Sequence, residues 1–236
     1  DKSLELKFSF ASKVEVSGGI EHIAQWGGVS PSVGPQPSSF QDYMKVFFAC
    51  RGGEGAHLSD QLNVLGNHLG REYMRILWNH ETFGMTFQYD KPYEDGSGTR
   101  LQNFPDGVWT LKFSLRDRKA AVTDILYEFV STTLQSGPVH DRPATEEEMA
   151  KQDPNSHYYG RVVIGGCDNY FNNGIYRSGW TYYGRTIGLP LINGVQFNED
   201  GVAVGILNNR VRAHHFGISG NAWKVPYTFK ATYSRN

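Results

Sequence analysis

The residues best suited to chemistry lie between positions 168 and 185, where amides, hydroxyls and aromatic rings follow one another closely. Amide groups hydrogen-bond sugar hydroxyls, and a flat aromatic ring covers the apolar face of a sugar. The pattern is therefore typical of carbohydrate contact. A structural alternative has Asn and Gly in left-handed backbone positions, with Arg177 and Arg185 paired to interior carboxylates. The candidate residues are Asp168, Asn169, Tyr170, Asn172, Asn173, Trp180, Tyr182 and Arg185.

A second polar cluster lies at residues 93–100 and contains Glu94, Asp95 and Arg100. Two adjacent carboxylates could form a glycosidase pair or part of a calcium loop. However, neighbouring strand residues face opposite ways, and the closing Glu of a calcium loop is missing from the sequence. We expect Gly96 and Gly98 to form a turn, and Glu94 and Arg100 to join a network of paired charges.

Other chemistries lack a motif in the sequence. The eight histidines show no metal-binding spacing, and the adjacent His214 and His215 would face opposite sides of a strand. No nucleophile elbow, phosphate-binding loop or dinucleotide fingerprint is present. We therefore expect no cofactor, no metal and no enzymatic activity. Cys50 and Cys167 could form one bridge or remain small buried thiols.

Composition excludes two further classes of protein. The 23 Lys and Arg residues nearly balance 24 Asp and Glu residues, giving a formal net charge of −1. Nucleic acid is not an expected partner, because neutralising several phosphates requires a basic surface. The longest apolar runs are about five residues, far short of the roughly 20 that a membrane-spanning helix requires.

The elements that must position these residues are β-strands, because apolar and polar residues alternate with period two along much of the chain. About eleven strands are predicted, of eight to ten residues where best defined, which indicates a large antiparallel β protein. The clearest patterns cover residues 4–10, 83–90, 109–115, 121–129 and 227–234, and weaker ones lie near 13–20, 43–50, 71–80, 159–165, 202–207 and 210–218.

A soluble sandwich and a membrane barrel begin with the same alternation. Three features favour a transmembrane β-barrel: strands near the ten residues needed to cross a bilayer, aromatic residues near strand ends, and charges on the opposite face. The residues suited to aromatic girdles are Tyr73, Trp78, Tyr89, Trp109, Tyr127, Tyr227 and Tyr233.

The connections complete the predicted organisation. Leucines spaced by four, three and four residues predict a short helix over about 57–69, and Gly70 would end it. Residues 29–39 and 137–160 are rich in Pro and polar residues and are predicted to be long loops. We interpret residues 1–236 as a single domain, an all-β transmembrane barrel with one short helical element.

Several motifs, taken together and in order, resemble the capsule assembly Wzi family in the form found in Bacteroidetes-type bacteria. They span residues 21–190, so their combination is more specific than any single motif. The motifs are Glu21-His22-x-x-Gln25-Trp26-Gly27-Gly28, Asn67-His68-Leu69-Gly70, Tyr93-Glu94-Asp95-Gly96-Ser97-Gly98, Gln135-Ser136-Gly137-Pro138, Asp168-Asn169-Tyr170-Phe171-Asn172-Asn173 and Gly179-Trp180-Thr181-Tyr182-x-Gly184-Arg185-x-Ile187-Gly188.

This resemblance implies a non-enzymatic, lectin-like β-barrel in the outer membrane of a Gram-negative cell, with a helical element on the periplasmic side. Its partners would be capsular polysaccharide, which it attaches or organises at the cell surface, and outer-membrane lipid. Two alternatives stay open. One is a porin-like or accessory barrel of another export or uptake complex, and the other is a secreted β-sandwich that binds or cleaves glycans.

We expect residues 1–236 to differ from a complete barrel in the number of strands. Bacterial single-chain barrels close with an even number of strands, whereas about eleven are predicted here, and the chain ends at Asn236 without an aromatic closing strand. An open sheet would leave unpaired backbone groups in hydrocarbon. We therefore expect residues 1–236 to be part of a longer barrel.

Overall fold

A computed structural model describes residues 1–94, 96–135, 141–154, 159–163, 169–188 and 190–235. Eight long strands form one antiparallel sheet in the order β1-β2-β5-β6-β7-β8-β15-β16. The prediction of a large antiparallel β protein is confirmed. The eight strands are β1 (Lys2–Phe10), β2 (Val14–Gln25), β5 (Asn67–Asn79), β6 (Phe83–Tyr93), β7 (Gly107–Leu115), β8 (Asp124–Ser131), β15 (Arg212–Ala222) and β16 (Val225–Arg235).

The remaining elements are short and lie in the connections of the main sheet. Four small hairpins pair β3 (Val29–Ser30) with β4 (Gly34–Pro35), β9 (Asp141–Pro143) with β10 (Arg161–Val163), β11 (Thr181–Tyr182) with β12 (Arg185–Thr186), and β13 (Gln196–Phe197) with β14 (Ala203–Gly205). The helices are α1 (Phe40–Phe47), α2 (Leu58–Leu62), α3 (Gly96–Thr99) and α4 (Glu146–Met149). Among the described residues, none of these helices has the length and apolar character needed to span a membrane.

One side of the main sheet, the apolar face, carries hydrophobic side chains in register across all eight strands. A single row shows the pattern: it joins Phe8, Val16, Ile76, Phe87, Leu111, Tyr127, Phe216 and Ala231 as directly opposed neighbours. Many of these side chains are open to the surroundings, and Phe8 is 58% exposed. The other strongly exposed members are Leu4, Leu6, Phe10, Ile20, Met74, Trp78, Leu111, Ile125, Tyr127, Phe216, Phe229 and Tyr233.

The opposite side, the polar face, carries most of the charged side chains of the same strands. Lys7 and Glu15 form an ion pair of 2.8 Å there, and Tyr73 donates a hydrogen bond to Glu5. The prediction that charges lie opposite the apolar rows holds for most of the ion pairs, but Lys91 and Glu72 pair at 2.7 Å on the apolar face near the ends of β5 and β6. Tyr73 itself was wrongly assigned to an aromatic girdle, because its strand register places it among these charges.

The buried core lies at one end of the polar face. All four short turns between neighbouring long strands lie at the other end of the sheet, while the long connections 26–66, 94–106 and 132–211 share this end. We call it the long-loop end. Residues 169–211 fold back over it, and their apolar side chains pack against Leu69, Val130 and Ala213 of the sheet. We call residues 169–211 the covering segment.

A second, smaller core holds the helical connection at the same end. Val46 of α1 packs with Ala56 and Leu65, and Ala24 and Trp26 contact this cluster from β2 and the residue after it. Helix α1 begins with a capping box, in which the Ser39 side chain accepts from the N–H of Asp42 and the Asp42 carboxylate accepts from the N–H of Ser39. The hydrogen bond from Ser39 lowers the pKa of Asp42.

The sheet is open rather than closed. Within the described ranges, β1 pairs only with β2, β16 pairs only with β15, and the two edge strands do not pair with each other. The described residues therefore form no closed barrel, and whether the sheet is part of a longer barrel stays a prediction. Eight strands enter the main sheet instead of the eleven predicted. Residues 43–50 contain no strand, and the described residues near 159–165 and 202–207 form the short strands β10 and β14 in the connections.

Two further predictions are corrected by local packing. Residues 43–50 were predicted as a strand, but residues 40–47 form helix α1, with Val46 directed into the small core. The predicted helix over 57–69 is limited to α2, and Asn67 already begins β5.

Cys50 is exposed rather than buried, and Cys167 lies outside the described residues.

The predicted loops 29–39 and 137–160 contain short elements. The first includes the β3–β4 hairpin, and the second includes β9 and α4, with residues 137–140 and 155–158 outside the described ranges. These elements span only two to four residues each.

A fully buried carboxylate anchors the start of the 132–211 connection. Asp106 accepts hydrogen bonds from the Ser131 hydroxyl at 2.7 Å and from the backbone N–H groups of Thr133, Leu134 and Gln135 at 2.7 to 3.0 Å. All four donors point at one side chain, so the chain leaving β8 is held in one direction.

Replacing this carboxylate tests its part in stability. In Asp106→Asn the amide nitrogen would face at least one backbone N–H donor in either orientation, and the charge that strengthens all four hydrogen bonds would be lost, so we expect the free energy of unfolding to fall by about 3 kcal/mol. Equilibrium urea titration of the full chain measures this. The exposed Asp117 gives a matched control, and Asp117→Asn should change stability by about 0.5 kcal/mol or less. Equal effects of the two variants on the free energy of unfolding would contradict the role of Asp106 in anchoring the connection after β8.

Candidate functional site

Two of the predicted carbohydrate-binding aromatics are core residues of the covering segment. Tyr170 is 2% exposed and Trp180 is 5% exposed. Their rings pack against each other at 5.2 Å and against Phe171, above the sheet residues Leu69 and Val130. Burial raises the pKa of the Tyr170 hydroxyl well above its usual value. These rings stabilise the fold and are not available to stack on a sugar at the surface.

The neighbouring amides fasten the same segment to itself. The Asn172 amide pairs with the backbone of Ile206, accepting from its N–H at 2.6 Å and donating to its carbonyl at 3.0 Å. Asn169 accepts from the Asn172 amide at 2.9 Å, and Asn173 accepts from the N–H groups of Ile175 and Tyr176. These amides therefore have a structural role, although none of the three residues adopts the left-handed backbone that the structural alternative expected of Asn.

In the described ranges, the two arginines do not form the ion pairs that the structural alternative predicted. Arg177 donates to the carbonyl of Ala203 at 2.9 Å, and neither Arg177 nor Arg185 forms an ion pair within the described residues. The expected pairing with interior carboxylates is therefore not found in this part of the chain. Gly179 does adopt a left-handed conformation, with φ of 60°, where a Cβ would meet the Phe171 carbonyl.

The remaining predicted residues of this region lie on an exposed hairpin. Strands β11 and β12 bring Tyr182 opposite Arg185, with Tyr183 and Gly184 at the turn. Tyr182 is 69% exposed and Tyr183 is 89% exposed, and their rings meet edge to face at 4.5 Å. We call residues 181–186 the tyrosine hairpin. It offers two accessible rings and one guanidinium group to a ligand.

The second predicted cluster lies elsewhere, at a cleft of about 990 Å³ between the helical connection and the ends of β1, β2 and β5. Glu94, Arg100 and Asn173 line this cleft. The structure therefore separates Glu94 and Arg100 from the tyrosine hairpin. Asp95 and Asp168 lie outside the described residues.

A histidine pair that the sequence patterns did not suggest also lines the cleft. His22 Nε2 and His68 Nδ1 are 2.7 Å apart, and His68 Nε2 is 2.8 Å from the Leu65 carbonyl oxygen. A carbonyl only accepts, so a neutral His68 must donate from Nε2 and accept from His22. His22 also stacks on Tyr93 at 6.5 Å. Among the described residues, no group of three His, Cys, Asp or Glu side chains is arranged to hold a metal.

The polar face holds a smaller cavity of about 400 Å³ beneath the covering segment. Its polar wall is an ion-pair network: Arg71 donates two hydrogen bonds to Glu21 at 2.8 and 2.9 Å and a third to Asp90 at 2.6 Å. Gln88 donates to Asp90 at 2.7 Å, and the apolar wall includes Trp180. The cavity can accommodate a small polar ligand, although both carboxylates are already occupied by Arg71.

This network was not predicted because its contacts depend on strand register. Glu21 and Arg71 are 50 residues apart in sequence and become direct neighbours only when β2 pairs with β5 in the observed register. The sequence shows only that the charged residues alternate in the same phase along their strands. That phase predicts which face of the sheet they share, but not which residues form ion pairs.

Comparison with protein-family models, curated proteins and solved structures gives no match. The site is therefore interpreted from its geometry and from the sequence motifs.

Mutation can distinguish the buried aromatic residues of the core from the exposed ones of the tyrosine hairpin. Trp180→Ala removes a buried ring from the core, so we expect it to lower the free energy of unfolding by about 3 to 5 kcal/mol. Tyr182→Ala removes an exposed ring and should change stability by about 0.5 kcal/mol or less. Urea titration of both variants checks this difference. A Tyr182 effect as large as that of Trp180 would show that the hairpin is structural.

Proposed function

We propose that this chain forms part of the wall of an outer-membrane β-barrel and takes part in assembling or attaching capsular polysaccharide at the cell surface, without enzymatic activity. The observation that supports the membrane location is the distribution of side chains on the main sheet. Most of its charged side chains form pairs on the polar face, while its apolar side chains are exposed on the other, where the one ion pair among the described residues, Lys91 with Glu72, lies at the long-loop end. This is the reverse of a water-soluble sheet, which buries its apolar side.

The size of the apolar face argues against contact with water. Eight strands spaced by about 4.8 Å give a width of about 34 Å, and the rows from Leu6 to Phe10 span about 13 Å along the strand. These rows therefore cover about 450 Å², as much as the largest apolar patch on a typical monomeric soluble protein, and a patch of that size often marks an interaction surface. Acyl chains can cover such a surface without loss of hydrophobic free energy.

Strand length and aromatic placement agree with a bilayer. The long strands contain 8 to 13 residues, and about 9 to 11 are needed to cross a membrane obliquely. Near the short-turn end, Trp78 packs edge to face on Phe83 at 5.2 Å. Toward the long-loop end, Tyr89 stacks on Trp109 at 3.9 Å. Rings at both margins of an apolar band are typical of the two membrane–water interfaces.

The polysaccharide role is supported by the motifs that resemble the capsule assembly Wzi family and by the tyrosine hairpin. Tyr182, Tyr183 and Arg185 supply exposed rings and a hydrogen-bond donor, which are the groups that sugars use for stacking and hydrogen bonding. No reacting group in the hairpin suggests catalysis. Contact with glycan is therefore assigned to the hairpin rather than to the buried Tyr170 and Trp180.

The orientation follows from the connections. Outer-membrane barrels usually have short periplasmic turns and longer extracellular loops, so we place the long-loop end outside the cell. The helices α1 and α2 share this end with the covering segment. The resemblance implied a periplasmic helical element, and that detail is not carried into the proposal because it would place the covering segment in the periplasm as well.

Both alternatives are less well supported. A porin-like barrel needs an open interior, whereas the covering segment packs on the polar face and fills part of it with Tyr170, Phe171 and Trp180. A secreted sandwich needs a second sheet over the apolar face, and none covers it among the described residues.

Charge placed on either face tests the membrane location. Arginine at a lipid-facing position near the bilayer centre costs about 2 to 4 kcal/mol. We therefore expect Phe8→Arg to reduce the folded fraction strongly when the full chain is reconstituted into phospholipid vesicles, as measured by protease protection. Ser9→Arg is a matched control, because the neighbouring residue lies on the polar face, and it should insert normally. Equal insertion of both variants would contradict a lipid-facing sheet.

Removing the exposed rings tests the polysaccharide role. In cells of the source organism, Tyr182→Ala combined with Tyr183→Ala should release capsule into the medium and weaken binding of purified capsular polysaccharide by about tenfold or more, for two stacking contacts of about 1 kcal/mol each. Trp223→Ala provides the control, since Trp223 is 97% exposed at the short-turn end. Full capsule retention by the double variant at normal protein levels would count against the hairpin.

A further inference from the structure

Helix α1 carries an exposed hydrophobic stripe that the polysaccharide role does not use. Phe40, Tyr43, Met44, Phe47 and Phe48 are spaced by three, one, three and one residues, which places them on one side of a helix. Phe40 is 78% exposed and Phe48 is 62% exposed, and the other three are also exposed. We call these five residues the α1 stripe.

The stripe is a continuous aromatic surface rather than a set of isolated side chains. The Tyr43 ring lies 6.2 Å from those of Phe40 and Phe47, and Phe47 meets Phe48 edge to face at 5.1 Å. The other side of α1 is already buried, because Val46 packs on Ala56 and Leu65. The stripe therefore faces away from the protein core.

The stripe adjoins the apolar face of the main sheet. Lys2 lies on that side of β1, two residues before Leu4, and its ammonium group donates to the Phe47 carbonyl. The same ammonium lies 4.9 Å from the centre of the Phe47 ring. Helix α1 is thus held at the margin of the apolar face, where the strands leave the proposed membrane.

We propose that α1 is an interfacial helix whose stripe lies in the headgroup region of the bilayer leaflet at the long-loop end. Its occupant is membrane lipid, because the stripe continues the surface assigned to acyl chains. Aromatic residues favour this depth, and amphipathic helices bury their apolar side about 5 to 10 Å into the boundary between headgroups and acyl chains. Leu58 and Leu62 of α2, the next helix along the chain, are also exposed. This inference rests on the proposed membrane location of the sheet.

Depth measurements with nitroxide labels test the proposal. Single cysteines are introduced as Phe48→Cys, Phe8→Cys and Tyr183→Cys into the full chain carrying Cys50→Ser and Cys167→Ser. The labelled proteins are reconstituted into phosphatidylcholine and phosphatidylglycerol vesicles. Accessibility to oxygen, which concentrates in lipid, is compared with accessibility to a water-soluble nickel chelate. Phe40→Cys gives a second position on the stripe.

We expect label 8 to be deep in the lipid, label 183 to be in water, and labels 48 and 40 to lie at an intermediate depth near the headgroups. Water exposure of labels 48 and 40 with label 8 in lipid would overturn the interfacial helix and leave the membrane location intact. Shielding of labels 48 and 40 from both reagents would also overturn it, since protein would then cover the stripe. Label 8 in water would overturn the membrane location itself.

Discussion

The whole structure depends on alternating side chains staying in phase across eight hydrogen-bonded strands. A shift of one residue in any strand pairing would move every side chain of that strand to the other face. The Arg71 guanidinium would then lose Glu21 and Asp90 and lie on the other face, at the level of Ile20 and His22. The register that pairs the charges on the polar face also keeps the apolar side chains in continuous rows on the other face. A single register therefore accounts for both faces of the sheet.

At the long-loop end, the connections between the strands pack against the main sheet. There the covering segment buries Tyr170 and Trp180 against the sheet, Asp106 fixes the chain as it leaves β8, and the helical connection packs through Val46. The tight turns at the opposite end leave no room for such elements. The exposed rings proposed to contact glycan, such as that of Tyr183, therefore lie at this end of the sheet, on a hairpin that belongs to the packed covering segment.

The strands were the most predictable part of this protein because alternation is a local property. The patterns at 4–10 and 109–115 lie within strands of nearly the same extent. Helix α1 was missed because Val46 and Phe47 also suit a strand, although the Ser39 and Asp42 capping pair was a usable signal. Similar aromatic residues proved buried at Trp180 and exposed at Tyr182. That difference depends on how the covering segment folds over distant strands, which composition and spacing do not determine.

The central claim is that lipid covers the apolar face, and the most direct measurement is the water accessibility of β7, a strand in the middle of the sheet. Single cysteines at Leu111, Lys112, Phe113 and Ser114 would be treated with a water-soluble maleimide after reconstitution of the full chain into vesicles. The account predicts alternation, with labelling at Lys112 and Ser114 about tenfold or more faster than at the apolar-face positions, because water is excluded from the hydrocarbon region. Equal labelling at all four positions, or faster labelling at Leu111 and Phe113, would contradict it.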